Sequence, residues 1–417
     1  MRLIVAAVVI ASMLTASLAR AAEPIALKVL YAGNPGSERE SDFVRFLQQH
    51  FAKVGKGELS KFTAEQAKDY DVVILDWTSI FPTHKQDGSI DDSEHRIDMP
   101  PIPTLDEKYD RPTVLIGAVA GQFGNVNKLK INWLCLCLND AAHGMQADHE
   151  IFHKPLEVKM DLVDCDTPES YRHFPDGKDL PSTMKVLPMQ SKTYPQIDPG
   201  LVSDPYGFEP VPDAEVMSSG LNMKGPRSVA IGRHGNYLQW GFSASPKDMT
   251  DAGRACFVNC VNYIRKFDHQ PVLVHAVATP RFFAPFFAEY YLDHREQFSP
   301  GFMYAADVVE KLGNDPSAYV KYFSDNLEYV RGEGEGKYSV DADAQALGIS
   351  NRKIEFLEKL VTMLETGERA ADADRMLRRY TTQSFDTPAQ WRQWLNDNKD
   401  RLFFTDVGGF KWLVRPR

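Results

Sequence analysis

Short apolar segments alternate with amphipathic ones along the first two thirds of the chain. The apolar segments have the length of buried strands, and they lie at residues 27–31, 71–75, 113–116, 131–138, 228–232 and 237–242. Residues 41–54 and 251–266 carry apolar side chains at helical spacing. Strands that are apolar on both faces are typical of parallel sheets covered by helices, so the pattern predicts an α/β domain over residues 26–268.

The pattern changes in three places. Residues 82–111 and 166–226 are rich in Pro, Asp, Gly and Ser, which predicts long loops inserted around a cleft. Beyond residue 268 the apolar positions follow helical spacing, which predicts a mostly helical C-terminal domain over residues 275–417. Its tryptophans are predicted to lie in the core, and an exposed patch that binds a protein partner is the alternative: Trp391, Trp394 and Trp412.

The first 21 residues have the pattern of a secretory signal peptide. Arg2 precedes an uncharged apolar run at residues 3–18, and Ala-Arg-Ala at residues 19–21 has the small-x-small pattern of a cleavage site. The run is short for a membrane-spanning helix, and no later segment has the ~20 continuous apolar residues that one requires. We therefore expect a periplasmic or secreted protein with no membrane attachment after cleavage.

Charge and cysteine content restrict the partners. The chain has 47 Lys and Arg against 57 Asp and Glu, and removal of Arg2 and Arg20 leaves 45 against 57, a net charge of −12. Such a surface repels phosphate backbones, so no nucleic-acid partner is expected. The 5 cysteines leave at least one thiol unpaired, and Cys135 and Cys137 are predicted to be small core residues on one face of a strand.

The third predicted strand leads into Gly-Ala-Val-Ala-Gly at residues 117–121. Small residues at this spacing are typical of a sharp strand-to-helix turn that exposes a central nucleophile. A catalytic turn of this kind has Cys or Ser at its centre, whereas the centre of this sequence is Val119. The turn is therefore predicted to have no nucleophile and, with Val119, to contact a ligand.

A histidine-rich segment follows the fourth predicted strand. Residues 149–153 read His-Glu-Ile-Phe-His, the spacing with which two histidines on one helix face bind zinc. The proline two residues later disfavours such a helix. His143, His149 and Glu150 are instead predicted to act as catalytic acid and base, with no cofactor. A solvated polar loop and a divalent-metal site over residues 140–153 are the alternatives.

Polar residues at the turns between strands are predicted to line one crevice. Arg233 suits the binding of a carboxylate and His234 suits proton transfer, and Asn236 follows them in a glycine-flanked turn. An exposed, charged hairpin is the alternative interpretation of this turn. Open α/β sheets bind ligands at the ends of their strands, so residues after the first two strands are expected to line the same crevice: Gly33, Asn34, Asp76 and Trp77.

This ordered set of features resembles the ThuA-like (trehalose utilisation) group of the class I glutamine amidotransferase-like superfamily. The resemblance covers residues 26–268 and rests on the Gly-Asn turn after the first strand, residues 70–75, the turn at 117–121, and Asp-His-Glu-Ile-Phe at residues 148–152. It implies a flavodoxin-like parallel sheet. Amidotransferases of the superfamily have Cys at the turn and His-Pro-Glu after the late strand, whereas residues 242–247 contain neither His nor Glu. The resemblance therefore implies that glutaminase activity is absent.

The resemblance also implies a carbohydrate-related function, either binding or modification of a sugar or an oxidised sugar. The residues predicted to be catalytic are His143, His149, Glu150 and His234. The helical tail is similar to C-terminal regions of exported proteins of planctomycete type, which implies no activity. Two alternatives stay open: a non-catalytic ligand-binding or scaffold protein, and a metal-dependent hydrolase that uses residues 140–153. The sequence favours neither an enzyme nor a non-catalytic protein.

Overall fold

The structure, a computed structural model, describes residues 23–77, 101–131, 135–191, 197–208, 211–332 and 336–417. The strands of these residues are β1 (Ile25–Gly33), β2 (Phe51–Glu58), β3 (Val72–Leu75), β4 (Thr113–Ile116), β5 (Cys135–Leu138), β6 (Ala141–His143), β7 (Val163–Asp166), β8 (Thr183–Pro188), β9 (Gly200–Val202), β10 (Ala214–Gly220), β11 (Val229–His234), β12 (Tyr237–Trp240), β13 (Val330–Gly332), β14 (Tyr338–Val340), β15 (Leu402–Thr405) and β16 (Lys411–Val414). The α-helices are α1 (Glu38–His50), α2 (Ala64–Ala67), α3 (Ala118–Val126), α4 (Pro205–Phe208), α5 (Asp251–Ile264), α6 (Phe283–Tyr290), α7 (Ala306–Leu312), α8 (Pro316–Asp325), α9 (Ala342–Leu347), α10 (Ile354–Thr366), α11 (Ala370–Tyr380) and α12 (Pro388–Asn398).

One mixed sheet organises the first two thirds of the described chain. Its strand order is β2-β1-β3-β4-β12-β11-β10-β6-β8-β7. The strands from β2 to β12 in this order run parallel to their neighbours. The strands from β11 to β7 pair antiparallel. The parallel half matches the sequence prediction, and the antiparallel half extends the sheet beyond it.

Successive residues of the parallel strands pack into two cores on opposite faces of the sheet. Val29 and Tyr31 of β1 belong to the core that α1 and α5 cover, whereas Leu30 and Ala32 belong to the core that α3 covers. Because helices exclude water from both faces, both sets of side chains must be apolar, which explains the continuous hydrophobic runs. The α/β class predicted from the sequence is confirmed.

Two segments differ from the sequence prediction. Residues 166–226 contain β8, β9 and β10 rather than only loop, and β8 and β10 join the main sheet. The apolar pattern of β8 is weak because this strand lies near the sheet edge, where Thr183 and Lys185 are exposed. Residues 82–100 of the other predicted loop lie outside the described residues.

The described part of the predicted strand at residues 131–138 lies outside the main sheet. Only β5 is described there, and it pairs antiparallel with β9. Cys135 and Cys137 of β5 form a disulfide, which corrects the expectation that they are ordinary core residues. The side chains at i and i+2 of a strand share a face, so the two sulfur atoms can meet.

The residues after 275 form a mostly helical region with its own core, as the sequence predicts. Trp391 and Trp412 are buried in it, and Trp394 packs against it. Val211, Val274 and Val407 form a small cluster where this region meets the α/β region. None of the described helices is long and apolar enough to cross a membrane. The predicted signal peptide lies outside the described residues.

Candidate functional site

The chain turns sharply from β4 into α3 at Gly117. This residue has φ 52° and ψ −128°, a conformation that L side chains rarely adopt. A Cβ placed there would lie 3.7 Å from Ser243, which is ordinary contact, so the backbone angle rather than crowding favours glycine. The sequence placed the centre of the turn at Val119, and this prediction is wrong. Because β4 ends at Ile116, Val119 lies in the first turn of α3 and is fully buried in the core.

A cavity of about 120 Å³ opens beside this turn, at the carboxyl ends of β3, β4 and β12. Trp77 follows β3, Gly117 follows β4, and Ser243 lies three residues beyond β12. We call this space the elbow cavity. Its described lining residues are Arg39, Trp77, Ile116, Gly117, Ala118, Ile197, Asp198, Ser243, Ala244, Ser245 and Asp248.

A buried ion pair forms the floor of the elbow cavity. Arg39 of α1 donates from Nε to Oδ2 of Asp76 at 2.7 Å and from Nη2 to Oδ1 at 2.9 Å. Its Nη1 donates to the carbonyl oxygen of Ser243 at 2.7 Å, which ties α1 to the segment after β12. The Tyr31 hydroxyl donates to Oδ2 of Asp76 at 2.5 Å. Burial and the nearby Asp76 charge raise the pKa of Tyr31, so its hydroxyl stays protonated and remains a donor.

Further polar side chains surround the opening of the elbow cavity. Ser245 donates to the carboxylate of Asp42, and Ser243 donates to the carbonyl oxygen of Asp198. Asp198 and Asp248 are half-buried residues of the cavity wall. The described lining residues include no thiol and no imidazole. The cavity can therefore bind a polar ligand, and its described lining contains no cysteine–histidine pair of the kind that glutaminase chemistry uses.

Gly33 and Asn34 lie next to the elbow cavity but are not among its described lining residues. A Cβ on Gly33 would lie 2.8 Å from the ring of Tyr31, so the glycine leaves room for that ring. The carbonyl oxygen of Asn34 accepts from the hydroxyl of Ser37, which is the N-cap of α1. Gly33 and Asn34 lead the chain into the helix that holds Arg39, and their predicted contact with a ligand stays a prediction.

The turn between β11 and β12 lies at the opposite end of the sheet. β12 runs parallel to β4, and the amide of Thr113, the first residue of β4, donates to the carbonyl oxygen of Asn236 at 2.8 Å. A turn that precedes a parallel strand lies at its amino end, so Arg233, His234 and Asn236 lie one strand length from the elbow cavity. Their predicted place in one crevice with Asp76 and Trp77 is incorrect.

Arg233 instead belongs to an ion-pair cluster at the sheet surface. Its Nε donates to Oε1 of Glu215 at 2.5 Å, and the Tyr263 hydroxyl donates to the same oxygen. His149 contributes Nε2 at 3.8 Å from Oε2 of Glu215. Burial alone would raise the pKa of Glu215, but the nearby His149 imidazole and the Arg233 charge hold this pKa at about 2. Glu150 pairs with Lys266 at the edge of this cluster.

His143 has different partners from His149 and His234. Its Nε2 lies 2.9 Å from the Tyr171 hydroxyl and 3.1 Å from the carbonyl oxygen of Gly220. Burial lowers the pKa of His143 to about 4, so the ring is neutral near pH 7. His143 pairs with Ser219 and Arg233 pairs with Glu215, and these two β10 residues are about 13 Å apart along the strand. The described contacts therefore do not bring the predicted catalytic residues together.

The two histidines of the His-Glu-Ile-Phe-His sequence also face different surroundings. Residues Glu150–Phe152 form a short 3-10 helix rather than an α-helix. His149 Nδ1 accepts from the amide of Ile151, whereas His153 contacts Glu157 and the carbonyl oxygen of Ala147 at the surface. Within the described part of the chain, no group of three or more His, Cys, Asp or Glu is arranged to hold a metal ion.

Most of the elbow-cavity residues lie outside the motifs that the sequence shows. Arg39 reaches the cavity from α1, and Asp198, Ser245 and Asp248 reach it from segments far apart in the chain. The sequence position of Arg39 is the one local indication of its role. Arg39 lies on the first turn of the helix that follows the first strand. Of the residues predicted to contact a ligand, Trp77 is the one among the described lining residues, and Asp76 lies beneath it.

No family model matches the chain, and no curated protein matches it. Solved structures similar to it include a GMP synthase component from Thermoplasma acidophilum, with 13% identity and a TM-score of 0.28 over 58% of this chain and 96% of that chain. A ThuA-like protein from Bacteroides uniformis has 13% identity and a TM-score of 0.32 over 60% of this chain and 96% of that chain. Similarity at this level carries no information about activity.

Proposed function

We propose that the chain binds a small carbohydrate in the elbow cavity. The observation that supports this most directly is the convergence of one indole, one guanidinium and two carboxylates around one cavity: Trp77, Arg39, Asp198 and Asp248. An indole can pack against the apolar face of a sugar ring, while carboxylates and hydroxyls bond to its hydroxyl groups. Small-molecule sites typically combine such an apolar surface with a few placed polar groups.

The charge of the cavity favours a neutral sugar over a sugar acid. Arg39 is neutralised by Asp76 through two hydrogen bonds. Asp198 and Asp248 add negative charge to the wall, so a ligand carboxylate would be repelled. If a reaction occurs in this cavity, these two carboxylates are the described wall groups that could serve as acid and base.

Calorimetric titration of the mature protein with neutral monosaccharides and with their sugar acids tests this proposal. We expect a neutral sugar to bind, and Asp248→Asn and Trp77→Ala each to weaken its binding at least tenfold. The control is Asp161→Asn, an exposed carboxylate paired with Lys159. Binding that both cavity variants leave unchanged, or no binding by any sugar tested, would contradict the proposal.

A scaffold role is the second candidate function, and it has a specific observation in its favour. Phe302 and Tyr290 of the helical region are 73% and 67% exposed. Large exposed aromatic side chains are typical of surfaces that bind other proteins. Self-association through this surface is tested by comparing the sedimentation of the purified chain with that of the double variant Tyr290→Ser and Phe302→Ser. Equal sedimentation of the two proteins at high concentration would argue against self-association.

We also propose that the protein is exported. The support is the pattern of residues 1–21 together with the disulfide between Cys135 and Cys137, since disulfides persist in oxidising compartments. N-terminal sequencing of protein recovered from the cell envelope and medium tests this proposal. A mature chain that begins near residue 22 is expected, and an intact N-terminus on cytoplasmic protein would contradict it.

A further inference from the structure

A second, larger cavity of about 440 Å³ lies where the α/β and helical regions meet. We call it the junction cavity. Its described wall is mainly apolar and includes residues 276–280, Phe283 and Val407. Among the described lining residues only two are ionisable, Lys130 and Asp204. Neither was singled out by the sequence, and neither belongs to the elbow cavity.

Lys130 is almost fully buried, with 1% of its surface exposed. Its Nζ has no hydrogen-bond partner among the described residues. An unpaired buried ammonium is strongly unfavourable, so such a group loses its proton or is retained for a function. Burial lowers the pKa of Lys130 to about 7, although nearby Asp213, Asp406 and Asp204 partly oppose this effect. A large fraction of this amine is therefore neutral, and hence nucleophilic, near pH 7.

Asp204 complements the amine. It is 7% exposed, and the amide of Tyr206 donates to its Oδ1 at 3.0 Å. Burial raises the pKa of Asp204 to about 7, so this carboxyl group can both give and take a proton near neutrality. Lys130 and Asp204, whose side chains can each change protonation state, thus both contribute to the lining of the same mainly apolar cavity.

The backbone of Lys130 is held in place by a hydrogen bond to His234. Its amide donates to Nδ1 of His234 at 3.1 Å, and Nε2 of His234 lies 3.5 Å from Oδ2 of Asp213. Burial alone would raise the pKa of Asp213, but His234 and the amide of Leu273 hold it at about 2. The ionised Asp213 thus lies beside His234, and Nδ1 of His234 accepts the hydrogen bond that fixes the backbone position from which the Lys130 side chain starts.

We propose that the junction cavity binds a small aldehyde or ketone and that Lys130 forms a reversible imine with it. The Nζ lone pair attacks the carbonyl carbon and forms the C–N bond. The two amine hydrogens are transferred to the carbonyl oxygen, which leaves as water as the C=N bond forms. Asp204 relays these protons, and no oxidant or reductant is required. This inference is independent of sugar binding in the elbow cavity.

Reductive trapping tests the proposal on the full mature chain. The protein is incubated briefly with low concentrations of glycolaldehyde or pyruvate and sodium cyanoborohydride, and modified lysines are located by peptide mass spectrometry. We expect one of these probes to label Lys130 at least tenfold faster than Lys128 and Lys159, which are both exposed. Labelling of Lys130 no faster than of these two lysines by either probe would overturn the proposal.

Two variants assign the roles within the cavity. Lys130→Met is expected to abolish the fast phase of labelling and to leave the labelling of Lys128 unchanged. Asp204→Asn, which keeps the shape of the side chain, is expected to slow labelling at Lys130 at least fivefold. Unchanged labelling at Lys130 in Asp204→Asn would exclude the proposed proton relay. The test on the unsubstituted protein does not depend on whether either variant folds.

Discussion

Arg39 binds both carboxylate oxygens of Asp76 in a planar, two-point hydrogen bond, and Asp76 is fully buried beneath it. The pair connects α1 to the end of β3 at the floor of the elbow cavity. Arginine is suited to this position because its fork matches the carboxylate geometry, which the single ammonium of lysine does not. The arrangement of the cavity therefore depends on one ion pair between residues 37 positions apart.

Arg39→Met should destabilise the protein because it leaves a buried carboxylate without a counter-charge. Removal of one partner from a buried pair typically costs about 3–5 kcal/mol of unfolding free energy. Urea unfolding measures the change. The control is Lys185→Met, which removes an exposed ion pair with Asp164 and should change the free energy by less than about 1 kcal/mol. Equal effects of the two variants would show that the buried pair has no special contribution.

Gly117→Ala should cost about 1–2 kcal/mol of unfolding free energy because of its positive φ. A new Cβ would have ordinary contacts there, so strain and not a clash accounts for the loss. Gly57→Ala is the matched control, since its Cβ would also meet atoms at ordinary distance but its φ is not positive. A loss of the same size in both variants would refute the assignment of the sharp turn to Gly117.

His143 should make the folded protein less stable as the pH falls. Its pKa is about 4 in the folded state, below the ordinary 6.5, because burial disfavours the charged ring. Between these values the unfolded chain binds a proton that the folded chain does not, so about 3 kcal/mol is lost from pH 6.5 to 4. His143→Gln should flatten this part of the pH profile of urea unfolding. An identical substitution of the exposed His173 should leave the profile unchanged.

Lys130 should likewise make stability rise with pH, but in a higher range. Its folded-state pKa of about 7 lies below the ordinary 10.5, so the unfolded chain binds the extra proton between these values. Lys130→Met should therefore be more stable than the unsubstituted protein at pH 6, by up to about 5 kcal/mol, and the difference should shrink toward pH 10. Lys128→Met serves as the exposed control. A lower stability of Lys130→Met at pH 6 would contradict the burial argument.

The sequence predicted those parts of the fold that depend on local pattern. The strands β1, β3 and β4 can be predicted from their continuous apolar runs, because helices cover both faces of these strands. Trp77 was placed correctly because the end of a parallel strand fixes where the next residue lies. In contrast, β8 and β10 show little periodicity, because β8 lies near the sheet edge and the buried end of β10 consists of Ser218, Ser219 and Gly220 rather than large apolar residues.

The candidate sites depended on information that is not local. His234 was placed in the cleft, although its position before β12 and the parallel pairing of β12 with β4 put it at the other edge. Asp248 and Arg39 are far apart in the chain, and only tertiary packing brings them to one cavity. The sequence does not indicate a site at Lys130, since a single lysine between apolar residues is usually exposed.

The direction of β4 determines whether ligands can occupy the elbow cavity and the junction cavity at the same time. Its first residue meets the turn that contains Asn236, next to the His234–Lys130 contact, and its last residue leads into Gly117 beside the elbow cavity. One four-residue strand, about 13 Å long, therefore separates the two cavities. Two ligands of different chemistry would not compete for space, and saturation of one cavity would leave the other free. A titration with both ligands present should therefore show additive heats and a stoichiometry of two ligands per chain.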